Sequence, residues 1–140
     1  DYLKLFDLEK RFFFFFSAVK SLLITLKEDL KPVDQALYNQ AANAVLNTLR
    51  SCPALEILAL ELNLDSSCAD PLCKFLQDND RLTTLILENN QLNDSTVSKA
   101  AETLTSCKNL SELNLANNKI TDIAAKDLLK LLKNNKNNSI

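Results

Sequence analysis

One arrangement of leucines occurs twice in the chain, and it restricts what the chain can fold into more than any other feature. Leu82, Leu85, Leu87, Asn90 and Leu92 return in the same spacing as Leu110, Leu113, Leu115, Asn118 and Ile120. A third copy lies upstream, with Leu55, Leu58, Leu60 and Asn63 at that spacing and Leu64 arriving one position early. The intervals Leu37 to Leu55, Leu64 to Leu82 and Leu92 to Leu110 are equal. Within each copy the pairs Leu58/Leu60, Leu85/Leu87 and Leu113/Leu115 alternate at period 2, so in a short strand both members point to one face. No single strand of this length buries that face alone. The copies must therefore stack, their strands forming a parallel sheet around a shared interior.

The second half of each copy has helical spacing. Val97, Ala100, Ala101, Leu104 and Cys107 follow Leu92 in helical periodicity, with Asp94 or Ser95 as the expected cap. The equivalents are Ala41, Val45, Leu46, Leu49 and Cys52; Leu72, Phe75 and Leu76; and Ala124, Ala125, Leu128, Leu129 and Leu132.

The pattern Lx₂LxLx₂NxL followed by a helix resembles the ribonuclease-inhibitor-like leucine-rich repeats, and its period falls within the roughly 20–29 residues of that class. The resemblance covers about Leu37 to Leu132. The fold class expected is α/β: a leucine-rich-repeat solenoid with a short parallel sheet on the concave face, helices on the convex face and an N-terminal helical cap. Asn63, Asn90 and Asn118 are expected to form a structural ladder at the turn leaving each strand, their amides bonded to backbone groups of their own and neighbouring coils. Removing one such side chain leaves buried backbone groups unpaired, at roughly 1–3 kcal/mol. The family usually has Gly in the loop between strand and helix. Here Asn93 and Thr96, then Thr121 and Ala124, stand in those places. Asn93 tolerates the left-handed region and can replace a Gly, whereas Thr121 cannot easily, so the loops are expected to use ordinary backbone angles.

Composition excludes several chemistries. The chain has no His, which removes the imidazole base and the usual His-containing zinc site, and no Gly, which removes the P-loop and the dinucleotide fingerprint. No cofactor and no metal site are expected. A net charge of −2 gives no electrostatic reason for a nucleic-acid partner. Cys52, Cys68, Cys73 and Cys107 lack metal-site spacing and read as free thiols used as small apolar side chains.

Residues 1–32 carry no repeat signal but include a run of consecutive phenylalanines, Phe12 to Phe16. The apolar run is short for a transmembrane helix, and no A-x-A-like site follows it as in a signal peptide. The reading taken is a helix whose face Phe12, Phe13, Phe16, Val19, Leu22, Leu23 and Leu26 covers the open first coil. Aromatic surface left exposed makes Phe12, Phe13 and Phe16 a candidate homodimer contact. Pro32 ends this cap. Residues 33–140 then hold the repeats: a degenerate copy at 33–54 whose strand is lost, then copies starting near 55, 82 and 110. The absence of Met suggests a piece of a longer chain, with more copies after Ile140.

The outward strand positions define the expected partner-binding face. They are Ile57, Ala59, Glu61 and Leu62 in one copy, Thr84, Ile86, Glu88 and Asn89 in the next, and Glu112, Asn114, Ala116 and Asn117 in the last. Ile57, Leu62 and Ile86 are apolar, and Glu61, Glu88 and Glu112 add acid with no Lys or Arg among them. An apolar patch rimmed by carboxylates suits a protein partner with an apolar anchor and a basic flank. Catalysis by Glu61 and Glu88 is disfavoured because no third group orients them, so the chain is read as a non-enzyme. The expected function is a protein–protein interaction module in the cytoplasm or delivered into a host cytoplasm, with no membrane partner. The alternative is a regulatory or effector protein acting on a host, GTPase or cytoskeletal partner through the same repeats, or self-association through the Phe-rich segment. Ran GTPase-activating proteins, tropomodulin-like proteins and secreted effectors of intracellular bacteria carry repeats of this class.

Overall fold

The computed structural model describes residues 20–25 and 35–134. Four strands, β1 (Ser21–Thr25), β2 (Ile57–Glu61), β3 (Thr84–Ile86) and β4 (Glu112–Asn114), form one parallel sheet in sequence order. Four helices alternate with them: α1 (Gln35–Leu49), α2 (Ala69–Asp78), α3 (Asp94–Leu104) and α4 (Asp122–Asn134). A 3-10 turn, Ser66–Cys68, leads into α2. Each strand and the helix after it make one coil, and each coil packs on the next.

The register follows the leucines. Leu22 pairs with Leu58, Leu58 with Leu85, and Leu85 with Leu113. Their side chains meet those of Leu46, Leu49, Leu72, Phe75, Leu76 and Leu104 in a single core between sheet and helices. Entry to each strand is fixed by one carbonyl serving two amides: Lys20 O accepts from Glu56 N and Ile57 N, Glu56 O from Thr83 N and Thr84 N, and Thr83 O from Ser111 N and Glu112 N. The hydroxyls of Thr83 and Ser111 add donors to Glu56 O and Thr83 O.

The strand β1 corrects the expectation of an N-terminal cap helix across Leu22 and Leu23, and of a first copy without a strand. The step from Leu22 to Leu58 is longer than the steps from Leu58 to Leu85 and from Leu85 to Leu113, so the first copy escapes the period of the others. The alternation in SLLIT sends Leu22 and Ile24 to the core, leaving Ser21 and Leu23 exposed. Phe12, Phe13, Phe16, Val19 and Leu26 lie outside the described residues.

Two asparagines are the rungs of a ladder. The Asn90 Oδ1 accepts from the amides of Leu62 (3.1 Å) and Leu64 (3.0 Å), while its Nδ2 donates to Leu60 O (2.8 Å) and Leu87 O (2.9 Å). Asn118 does the same one coil on, accepting from Leu92 N at 3.0 Å and donating to Leu87 O and Leu115 O. Asn63 is not a third rung. Its copy is one residue short, so the alternation Leu58, Leu60, Leu62, Leu64 runs on unbroken with all four buried, and Asn63 faces outward. There it donates to Gln35 Oε1 at 2.7 Å.

The loops do not use ordinary backbone angles throughout. Asn63, Asn89 and Asn117 have φ of 53°, 58° and 55°, in the left-handed region. In a chain without Gly, Asn is the side chain that takes this conformation at least cost. Asn93, the expected left-handed residue, is instead extended and caps α3, its Oδ1 accepting from Thr96 N at 3.0 Å. Asp94 reaches to the next coil, accepting from Thr121 Oγ1 and Thr121 N, both at 2.7 Å. These bonds hold the Asp94 carboxyl below its ordinary range.

All four cysteines are free and buried. Burial pushes the thiol of Cys52 up to about 11 and that of Cys68 up to about 12, and raises that of Cys107, so these three stay protonated and unreactive at neutral pH. Cys52, Asn79 and Cys107 hold the same place ahead of Leu55, Leu82 and Leu110, and all three are buried. The ion pairs Lys20–Glu56, Arg50–Asp78 and Lys99–Asp70 link successive coils on the surface, where solvent screens them and they add little to stability.

Asn90→Ala leaves two buried amides and a carbonyl unpaired, and is expected to lower unfolding free energy in urea by about 3 kcal/mol or more. Asn63→Gly, which relieves a left-handed side chain, is expected to be neutral within ~0.5 kcal/mol. Because the Asp94 carboxyl is depressed, its contribution is present above the unfolded value of about 3.9 and is lost as pH falls through the lower folded value. Thermal melts of the wild type and Asp94→Asn are therefore expected to differ above about pH 4, the wild type melting higher, and to converge as pH falls below it.

Candidate functional site

The outward side of the sheet is built in rows by the register. Ser21, Ile57, Thr84 and Glu112 form one row, and Leu23, Ala59, Ile86 and Asn114 the next. Thr25 pairs with Glu61 in a third. Leu23 is 59% exposed and Ile57 40%, while Ala59, Thr84 and Ile86 are half-buried by their neighbours in the sheet. The strands place these side chains outward because their inward neighbours are the core leucines, so the alternation that buries one set presents the other.

Acid surrounds this apolar strip. Glu61 lies beyond Ala59 and Glu88 beyond Ile86 on the same side of the chain, both half-buried, while Glu112 is exposed at the last strand. Glu88 is anchored: its Oε2 accepts from Asn114 Nδ2 at 2.6 Å and its Oε1 from Asn89 Nδ2 at 3.4 Å. That fixes a negative charge beside Ile86 and Asn114. No Lys or Arg occupies the three rows, and Lys20, at the entrance to β1, sits 3.7 Å from Glu56. Among the described residues the rows of the strip therefore present apolar carbon and carboxylate.

Of the expected contact residues, Ile57, Ala59, Thr84, Ile86, Glu112 and Asn114 lie in the first two rows, with Glu61 and Glu88 at their ends. Leu62 does not lie there. It is 3% exposed and belongs to the core: in the shortened loop that also displaces Asn63, burial alternates on to Leu64 past the end of β2 at Glu61. Leu23, outside the expected set, is the most exposed apolar side chain of the rows. Its signal is the alternation Leu22-in, Leu23-out, Ile24-in, which the helical spacing of the neighbouring phenylalanines obscures.

Among the described residues no group of three or more His, Cys, Asp or Glu side chains is placed to hold a metal ion, and no helix is long and apolar enough to cross a membrane. An apolar hollow lined by Leu85, Leu87, Val97, Leu113, Leu115 and Leu128 lies between sheet and helices near the last coil, away from the outward rows.

Parallel strands joined by helices, leucines in register and asparagine rungs between coils define a leucine-rich-repeat-like fold. No protein-family model matches the sequence, and no curated protein does so either. Among solved structures, the tropomodulin C-terminal domain of Caenorhabditis elegans is similar at a TM-score of 0.69 and 15% identity, over 85% of this chain and 70% of that one. An actin-binding site 2 structure of leiomodin-1 is similar at a TM-score of 0.65 and 18% identity. This chain is covered to 85% in that match and spans 66% of the leiomodin chain. At these identities the likeness is one of fold.

Leu62→Ala removes a core side chain and is expected to cost about 2–5 kcal/mol, while Leu23→Ala, on the outward row, changes stability by less than about 1 kcal/mol, both read from urea denaturation.

Proposed function

We propose that this chain is a protein–protein interaction module and that its concave sheet face docks the partner. The observation that supports this most is the strip of Leu23, Ile57 and Ile86 bordered by Glu61, Glu88 and Glu112, apolar area left open on a face that contains no basic side chain in its rows. Leu23 and Ile57 stay in water beside half-buried Ala59 and Ile86, apolar area that a docked partner would cover. The partner that suits it offers an apolar anchor for the Leu23–Ala59–Ile86 row and Lys or Arg flanks for the carboxylates, which gives both burial and steering. The chain acts by binding and not by catalysis: Glu88 is held by Asn114 and Asn89, amides that supply neither acid nor base. The leucine and asparagine spacing of the copies keeps the ribonuclease-inhibitor-like repeat as the reading of its subtype.

A second reading, a cytoskeletal partner, is supported by the likeness to leiomodin-1, whose structure is described as an actin-binding site. Co-sedimentation with filamentous actin and binding to monomeric actin separate the two readings. Affinity capture with the wild type and with Glu61→Lys/Glu88→Lys tests the face itself. The expected result is loss of a saturable partner by at least tenfold in Kd with unchanged helicity. Retention of that partner at wild-type affinity by the double variant, and by Leu23→Lys/Ile57→Lys, contradicts the proposal.

A further inference from the structure

The middle of the outward rows is floored by strands with no backbone left to offer. β2 and β3 are interior to the sheet, each paired to a strand on both sides. Their N–H and C=O groups are taken up by those ladders, so a segment lying on Ala59 and Ile86 finds no backbone partner there. An extended segment would bring its own unpaired N–H and C=O groups onto this apolar floor, where burying them is costly. A helix brings none along its length, because its amides and carbonyls bond to one another.

The charges are spaced for a helix as well. The register pairs Ala59 with Ile86 and, carried two residues on, sets Glu61 beside Glu88. Two parallel lines thus cross the strands, an apolar one through Ala59 and Ile86 and an acidic one through Glu61 and Glu88. Glu88 is held in its line by Asn114 Nδ2 at 2.6 Å and Asn89 Nδ2 at 3.4 Å. Neighbouring strands lie about 4.8 Å apart, close to the roughly 5–6 Å between side chains three or four residues apart on a helix. Same-side residues of an extended segment recur at about 6.8 Å and fall out of step with the strands. Glu112, exposed on β4, is the one further charged side chain of the rows among the described residues. Exposed Arg81 and Lys108 stand in the turns ahead of β3 and β4, Lys119 stands beyond β4, and Lys20 lies 3.7 Å from Glu56; none of the four occupies a row.

We propose that the occupant of these rows is an amphipathic helix of a partner protein, laid across the strands. Its apolar stripe follows Ala59 and Ile86, and Lys or Arg at three- or four-residue spacing line the flank toward Glu61 and Glu88. This rests on the docking role proposed for the face and adds the form of the partner. Ala59, the smallest side chain of its row, leaves a dip beside Ile86 that takes one large apolar side chain of the helix. The cations relieve the repulsion between two half-buried carboxylates on adjacent strands, so the charge on the partner and the charge on the face are complementary.

The probe is a displayed library of random peptides of about 14 residues, ~21 Å as a helix against ~14 Å from β1 to β4. Peptides selected on the wild-type chain are expected to carry Lys or Arg three or four residues apart beside an apolar stripe, and to gain helical circular dichroism on binding. Their affinity is expected to fall by about tenfold or more for Glu61→Gln/Glu88→Gln and by about fivefold or more for Ile86→Ala, with the circular dichroism of the protein unchanged. Peptides that lose affinity for both variants yet stay non-helical when bound, or that place their cations at alternate residues, overturn the helix and leave the docking face standing. Peptides that bind both variants at wild-type affinity overturn the helix and the face together. A library that yields no binder overturns the proposal, and so does a wild type that self-associates in sedimentation while Glu61→Gln/Glu88→Gln is monomeric, since the face then belongs to a second copy.

Discussion

The structure depends on side chains that no coil can bury by itself. Leu58, Leu85 and Leu113 stand in register on adjacent strands, and each is shielded from water by the coil beside it as much as by its own helix. Parallel pairing at this spacing is therefore a consequence of burial, and the backbone bonds follow it. The coils also need a way to close the turn between strand and helix, where amides lose their strand partners. Asn90 does this by turning one amide group to five backbone atoms of two coils, at distances of 2.8 to 3.2 Å. Packing and the asparagine rungs thus act on the same residues, and the loss of either opens the other to water.

Much of this was legible in the sequence because a repeat multiplies a weak signal. The leucine spacing dictates the strands, the helices and the inward direction of Leu58, Leu85 and Leu113 without reference to any relative. What the spacing hides are departures from itself. The first coil carries a longer connection, so β1 falls outside the period, and the helical pattern of the phenylalanines absorbs Leu22 and Leu23. In the coil of Leu58, a single missing residue keeps the alternation going to Leu64, which takes Leu62 off the outward rows and Asn63 off the ladder. The run LALELNL displays that alternation plainly, but the template of the other copies outweighs it.

The missing glycines illustrate how a chain solves a backbone problem with another residue. A left-handed residue is needed at the turns leaving β2, β3 and β4, and Asn63, Asn89 and Asn117 supply it. Two of these asparagines then bond to each other across the coils, Asn117 Nδ2 donating to Asn89 Oδ1 at 2.8 Å. The same residue type serves as rung, as left-handed hinge and, at Asn93, as helix cap, so the abundance of asparagine says little until the backbone angles assign each one.

The candidate site inherits its character from this frame. Its rows are the reverse side of the buried alternation, so their spacing is fixed, and Glu88 is held in place by Asn114 rather than left to move with solvent. The most direct test is hydrogen exchange at the amides of Leu62 and Leu64, which lie in the turn leaving β2 and whose protection rests on the Asn90 side chain. Both are expected to exchange as slowly as the amides of the sheet core. Exchange of Leu64 at the rate of an open loop would mean that the rung does not form and that the coils are not joined through it.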